Sequence, residues 1–247
     1  MAGEKALVWD QNSERLYETG IKNVALFVVK DDGTYNNGVA WNGVTGITES
    51  PSGAEATDLW ADDRKYATLR SAEQLGGTIT AYMYPKEWEI CDGSAEPASG
   101  IHFGQQARRK FALAYITTQG NDTELNDYGV RLHILYGATA SPSERAYATI
   151  NDSPEAIEFS WEFETTPIDV SITDSSGSTP VTTKYKPMSL ITIDSKPKGL
   201  TTEQQSAYKT KFDALYDYIY GKDSVNNPTL PTPQIVYNFL TTGSSGE

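Results

Sequence analysis

Two histidines, one cysteine and a row of glutamates are the side chains of this chain that could move a proton, attack an electrophile or hold a metal. A nucleophilic triad needs a base oriented beside its nucleophile. The imidazoles are His102, just after Gly100-Ile101, and His133, and neither sits in a catalytic motif. His133 lies between Leu132 and Ile134 in a run with strand periodicity, which reads as a histidine on the polar face of a strand. Asp31-Asp32 and Asp62-Asp63 could ligate a hard cation, but no calcium-loop spacing surrounds them, so they read as solvated acids. Glu158, Glu162 and Glu164 could suggest a glycosidase pair. At about 3.3 Å rise per residue, Glu162 and Glu164 would stand roughly 6–7 Å apart, near the inverting range. Both would project from one strand, however, whereas acid and base must flank the scissile bond from different sides. A hydrated sheet face is the better reading. Phosphate-cradling glycine motifs are absent. Arg108-Arg109-Lys110 reads as a salt-bridged patch among surrounding acids, and Cys91, near Tyr84 and Trp88, as a small buried hydrophobe. No cofactor, metal or catalytic residue is expected.

The elements that must position these residues are mostly strands. Apolar residues recur with period two in short runs separated by Gly, Asn, Asp and Pro, the pattern of half-buried antiparallel strands. Strands are expected near residues 24–29, 39–48, 78–84, 111–118, 130–136 and 156–165. Asp-Gly and Asn-Gly dipeptides between the first two predict a hairpin. In the last, Ile157, Phe159, Trp161 and Phe163 alternate with Glu158, Ser160, Glu162 and Glu164, one face apolar and the other anionic.

A helix is predicted over about 202–220, where Tyr208, Phe212, Leu215, Tyr216 and Ile219 form one stripe, with Thr202 and Gln205 at capping-box spacing and Gly221 at its end. A shorter helix is expected around 104–110. Residues 49–77 fit neither period and read as a long connection carrying Leu59, Trp60, Tyr66 and Leu69, which a permanently solvated linker has no use for. Residues 167–186 read as a flexible excursion and 241–247 as a frayed tail.

The chain has 247 residues and a formal net charge of −13, from 33 acidic and 20 basic side chains. One large domain over about 1–240 suits that length. The acidity disfavours binding to DNA, which is held chiefly by Lys and Arg on phosphates. A single cysteine excludes an internal disulfide framework and a Cys-rich zinc site. No apolar run approaches the roughly 20 residues that cross a bilayer, so the expectation is a product outside membranes and the general secretory route, with the sequons at Asn121 and Asn151 as chance matches.

Several stretches together resemble a family. They are the segment 43–67, from Gly43-Val44-Thr45-Gly46-Ile47-Thr48 to Asp58-Leu59-Trp60-Ala61-Asp62-Asp63-Arg64-Lys65-Tyr66-Ala67; Gly76-Gly77-Thr78-Ile79-Thr80-Ala81-Tyr82; Gly104-Gln105-Gln106-Ala107-Arg108; Tyr136-Gly137-Ala138-Thr139-Ala140; and Phe159-Ser160-Trp161-Glu162-Phe163-Glu164-Thr165-Thr166-Pro167. In order and spacing they are similar to the major tail tube proteins of long, non-contractile-tailed bacteriophages. The likeness covers roughly residues 10–195, and the part after Pro197 departs from it.

The resemblance implies an antiparallel β-sandwich or half-barrel with a flanking helix and a long inter-ring loop, a virion protein whose hexameric rings stack into a hollow tube. The chain's partners would be itself, tail terminator, tape-measure and baseplate proteins, and DNA in transit without specific binding. It would assemble in the host cytoplasm. On this reading Asp58, Leu59, Trp60, Asp62, Asp63, Arg64 and Tyr66 make inter-ring contacts and Glu158, Glu162 and Glu164 line the lumen. The rival reading is a monomeric β-sandwich carbohydrate-binding module that uses its 5 Trp and 15 Tyr as stacking platforms.

Overall fold

The computed structural model describes residues 9, 11–53, 55–150, 152, 156–175, 179–222 and 226–245. Among them the strands are β1 (Tyr17–Val28), β2 (Val39–Ala40), β3 (Val44–Gly53), β4 (Ala56–Ala61), β5 (Arg64–Arg70), β6 (Glu73–Ala81), β7 (Ala95–Ala98), β8 (Ile101–Phe103), β9 (Phe111–Asn121), β10 (Leu125–Ala140), β11 (Phe159–Thr165), β12 (Ile168–Asp174), β13 (Val181–Met188) and β14 (Leu190–Asp194). The helices are α1 (Thr202–Tyr220) and α2 (Pro233–Thr242).

The chain is mainly β. One large antiparallel sheet runs β2-β1-β9-β10-β11-β6-β3, with β14 also paired to β10. The hairpin expected between the first two strands is present, Ala25 opposite Ala40 and Leu26 opposite Val39. β9 opens Phe111-Ala112-Leu113-Ala114-Tyr115-Ile116, apolar at every position, because both of its faces are covered. One face joins Leu26, Leu113, Leu135, Ile79, Trp161 and Phe163 in the space enclosed by the curling sheet. The other packs Phe27, Ile116, Leu132 and Ile134 under Phe212, Leu215 and Ile219 of α1 and Val236 and Phe239 of α2.

Two glycines let the sheet curl. β10 pairs with β14 through Arg131–Leu135 and then, on the same edge, with β11 through Ala138–Ala140. Gly137 lies between these stretches at φ +62°, and a Cβ there would stand 2.5 Å from the Thr166 carbonyl oxygen. The strand can therefore turn the corner only without a side chain. Gly77 is required for space instead: a Cβ would lie 2.1 Å from the Thr48 carbonyl oxygen and 2.7 Å from the Phe163 ring. Inside the curl Trp41, Trp88 and Trp161 meet with ring centroids 4.5 to 5.7 Å apart, each such pair contributing about 0.5–1.5 kcal/mol beyond its buried area.

Several expectations need correction. Residues 49–77 are not a loop: β3 and β6 stay paired out to Gly53 and Glu73, and β4 and β5 continue as a second hairpin. Residues 104–110 form no helix and follow the β7–β8 hairpin as irregular chain. Within the excursion expected at 167–186, the described residues form β12 and most of β13, paired antiparallel, with Thr173 tied to Gln234 of α2. The capping box of α1 is one residue earlier than expected, on Thr201 and Gln204. α2, capped by Thr232 with Pro233 in its first turn, was not anticipated, and it carries the chain as helix to Thr242 in the expected tail. Asn121 is buried, its side-chain oxygen accepting from the Thr123 and Glu124 amides, so its sequon is enclosed. Asn151 lies outside the described residues.

Candidate functional site

The arm built from the outer ends of β3 and β6 and the β4–β5 hairpin holds every residue expected to make inter-ring contacts. Its tip is tight, with Asp62 at φ +53° and Asp63 at φ +58°, the two consecutive left-handed residues of a primed hairpin turn. Leu59 faces Ala67 and Thr57 faces Leu69 across the ladder, so these four share one side. A bulge follows, and Trp60 then pairs with Lys65 and Ala61 with Arg64. Asp58 accepts from Thr68 at 2.9 Å and pairs with Lys65 at 2.7 Å, which fixes the register from the polar side.

The arm has no core of its own. Leu59 is 41 % exposed, Trp60 69 %, Leu69 57 % and Tyr66 72 %. A two-stranded ribbon with bare apolar side chains is marginal in water unless another surface covers it. Two sheet edges are also open: among the described residues β3 pairs only with β6, and β1 has no outer partner strand over residues 17–23.

The three glutamates stand together on the outward face of the β11–β6–β3 sheet. Register places Ser160, Glu162 and Glu164 beside Thr80, Thr78 and Gly76 of β6, which in turn lie beside Gly46, Thr48 and Ser50 of β3. Glu158, just before β11, accepts a hydrogen bond from Thr45. These positions carry carboxylates, hydroxyls and glycines, with no basic group and nothing apolar larger than threonine among them. The opposite parity, Phe159, Trp161 and Phe163, faces the core, as the alternation predicts.

The other chemistry-bearing residues are dispersed. Cys91 is buried in the core, and burial pushes its thiol up to about 12, so no thiolate nucleophile is available near neutral pH. His102 Nδ1 lies 3.3 Å from Glu89 on the β8 side of the molecule. Arg109 pairs with Asp31 at 2.5 Å and Asp32 accepts from the Thr34 amide and hydroxyl, so these acids serve ion pairing and a turn. A groove of about 510 Å³ between the β1–β2 edge and α1 is lined by Lys22, Asn23, Tyr216, Tyr220 and the edge of Trp41.

His133 is not on a water-facing strand surface. It is 7 % exposed, stacked on the Tyr115 ring at 4.7 Å and 6°, within the curl of the sheet. Glu49 of β3 points into the same space: the Tyr115 hydroxyl donates to Glu49 Oε1 at 2.5 Å, and His133 Nδ1 lies 3.5 Å from that oxygen. The His133 imidazole holds the Glu49 carboxyl below its usual range, burial opposing and the Tyr115 hydroxyl assisting. Beyond it Arg131 bridges Glu18 at 2.7 Å and Asp194 at 2.6 Å. Burial raises the Asp194 carboxyl, but the Arg131 bond and charge outweigh it, and the net shift is downward. The alternation around His133 alone does not reveal this network. The signal was parity: Glu49 shares the inward side of its strand with Ile47, where a carboxylate must find a buried donor.

No family model matches the chain, and no curated protein matches it.

Proposed function

We propose that the chain is the repeating structural subunit of a phage tail tube, a virion protein of long non-contractile tails whose hexameric rings stack around a DNA-conducting lumen. The observation that carries this reading is the arm, a paired ribbon that displays Leu59, Trp60, Tyr66 and Leu69 to solvent with nothing among the described residues to cover them. A second copy in the next ring would cover those side chains, with Asp58, Asp62, Asp63, Arg64 and Lys65 selecting its position. The open edges of β1 and β3 support lateral joining, because strand addition around a closed ring removes exposed edges. The outward face with Glu158, Glu162 and Glu164 suits a lumen: carboxylates within a Debye length of about 8 Å repel phosphates, and small hydroxyl side chains give bases nothing to stack on. On this reading no catalysis is involved, and terminator, tape-measure and baseplate proteins meet the tube at its ends and inside it.

Negative-stain electron microscopy of the purified protein tests the proposal, with rings or tubes as the expected result. Uniform dispersed monomers over the whole accessible concentration range would overturn it. Retention of such monomers on a glycan column would favour the carbohydrate-binding reading.

A further inference from the structure

We propose that His133 is a pH-operated latch that ties the root of the arm to the body of the subunit, its imidazolium bridging Glu49 on β3 and Glu18 on β1 within the curl of the sheet.

The protons can be counted. Thr117 has one hydroxyl proton and gives it to Glu18 Oε1 at 2.5 Å. His133 Nε2, 3.0 Å from the same hydroxyl oxygen, must then donate to it rather than accept from it. Nδ1 is left buried, without a hydrogen-bond partner, 3.5 Å from Glu49 Oε1. In the neutral ring protonated on Nε2, Nδ1 turns a lone pair toward a carboxylate. In the imidazolium both nitrogens carry protons and both face acceptors, because Glu18 Oε1 also lies 3.4 Å from Nε2. The parallel Tyr115 ring favours a cation against its face.

The charges around the ring agree. Glu18 faces it from β1, Glu49 from β3, Tyr115, Thr117 and Gln119 come from β9, Arg131 from β10 and Asp194 from β14. Three carboxylates therefore share one guanidinium in this cluster, and a second cation brings it closer to neutrality. Of these residues Glu49 alone comes from the β11–β6–β3 half of the sheet, and its strand continues into the arm. The imidazolium can bond both carboxylates and the neutral ring cannot, so the tie forms with the ring protonated and loosens when Nδ1 gives up its proton. The latch is a property of the single chain and does not depend on the tube reading.

Two measurements on the full chain test it. Ring-proton NMR follows the two imidazoles from pH 8 to 5.5, with His102→Gln assigning the His133 signal. Amide exchange at residues 46–50, corrected for intrinsic rate, is read at both ends of the interval. Protection there should rise about tenfold or more as His133 protonates, the worth of a buried bond to a charged group, and that rise should vanish in Glu49→Gln and His133→Gln. A His133 still neutral at pH 5.5, a parent whose protection does not follow the titration, or Gln variants that keep the pH response would each overturn the latch. If a variant fails to fold, the parent titration and its exchange profile decide alone.

Discussion

Gly77 shows how a single position fixes the geometry of the curled sheet. The β6 backbone passes so close to Thr48 and Phe163 that a methyl group has no room, and the neighbours are a backbone carbonyl and a fully buried ring that cannot swing away. Gly77→Ala should lower stability by at least the 1–3 kcal/mol typical of overpacking, seen as a fall in the urea midpoint. Glu49 and Asp194 make a pH prediction at the same scale. Both are held below the usual carboxylate range in the fold, so the stability they contribute is present just above their unfolded values near 4 and disappears as pH falls through the folded ones. Thermal melts between pH 6 and 3 should show this acid loss, and Glu49→Gln should flatten it. His133 explains why the network escaped a reading by periodicity. Leu132 and Ile134 mark one buried side of β10, and in an exposed sheet the other side would be wet; here it faces the interior of the curl.

At the scale of elements, α1 and the arm behave as opposites. α1 buries Phe212, Leu215 and Ile219 against the sheet, and its stripe was legible because a 3.6 period sustained over nineteen residues suits a helix and no strand. Leu215→Ala should cost about 2–5 kcal/mol and Thr201→Ala about 1 kcal/mol, both measurable by denaturant unfolding. Leu59→Ala with Trp60→Ala should leave monomer stability within about 1 kcal/mol, since both side chains are largely exposed, while abolishing the proposed tubes in the microscope. The arm read as a loop because Ser50-Pro51-Ser52-Gly53 and Gly76-Gly77 are ordinarily chain breakers. β3 is an edge strand, however, where proline is tolerated, and the glycines of β6 admit close neighbours. α2 was hidden for a related reason: Pro231-Thr232-Pro233 reads as a turn, and the ten residues of the helix are too few for a clear period.

For the whole molecule, the β class and the two-sided face of β11 could be read from alternation alone, whereas the curl could not. It depends on β10 serving two partners along one edge, a long-range property that no local window contains. The anionic face gives the prediction at this scale. On the proposed tube reading, replacing Glu158, Glu162 and Glu164 with Lys should leave assembly intact while making the tubes retain DNA in a filter assay at low salt, with release as salt rises. Tubes of this variant that shed DNA as freely as the parent would place those carboxylates away from the passage.

The corner at Gly137 also has a mechanical meaning. A pull on the arm tip runs lengthwise through β3 into β6, crosses to β11, and reaches β10 through the short Ala138–Ala140 ladder. Force along antiparallel strands loads their hydrogen bonds in shear, so many must give way together, whereas three register pairs, flanked by the Thr166–Gly137 and Ser141–Glu162 backbone bonds, make a short junction beside a pivot. Under tension the molecule should yield at that hinge once the Glu49 contacts with Tyr115 and His133 part, opening the β11–β6–β3 leaf as one piece while the helix-backed leaf stays whole.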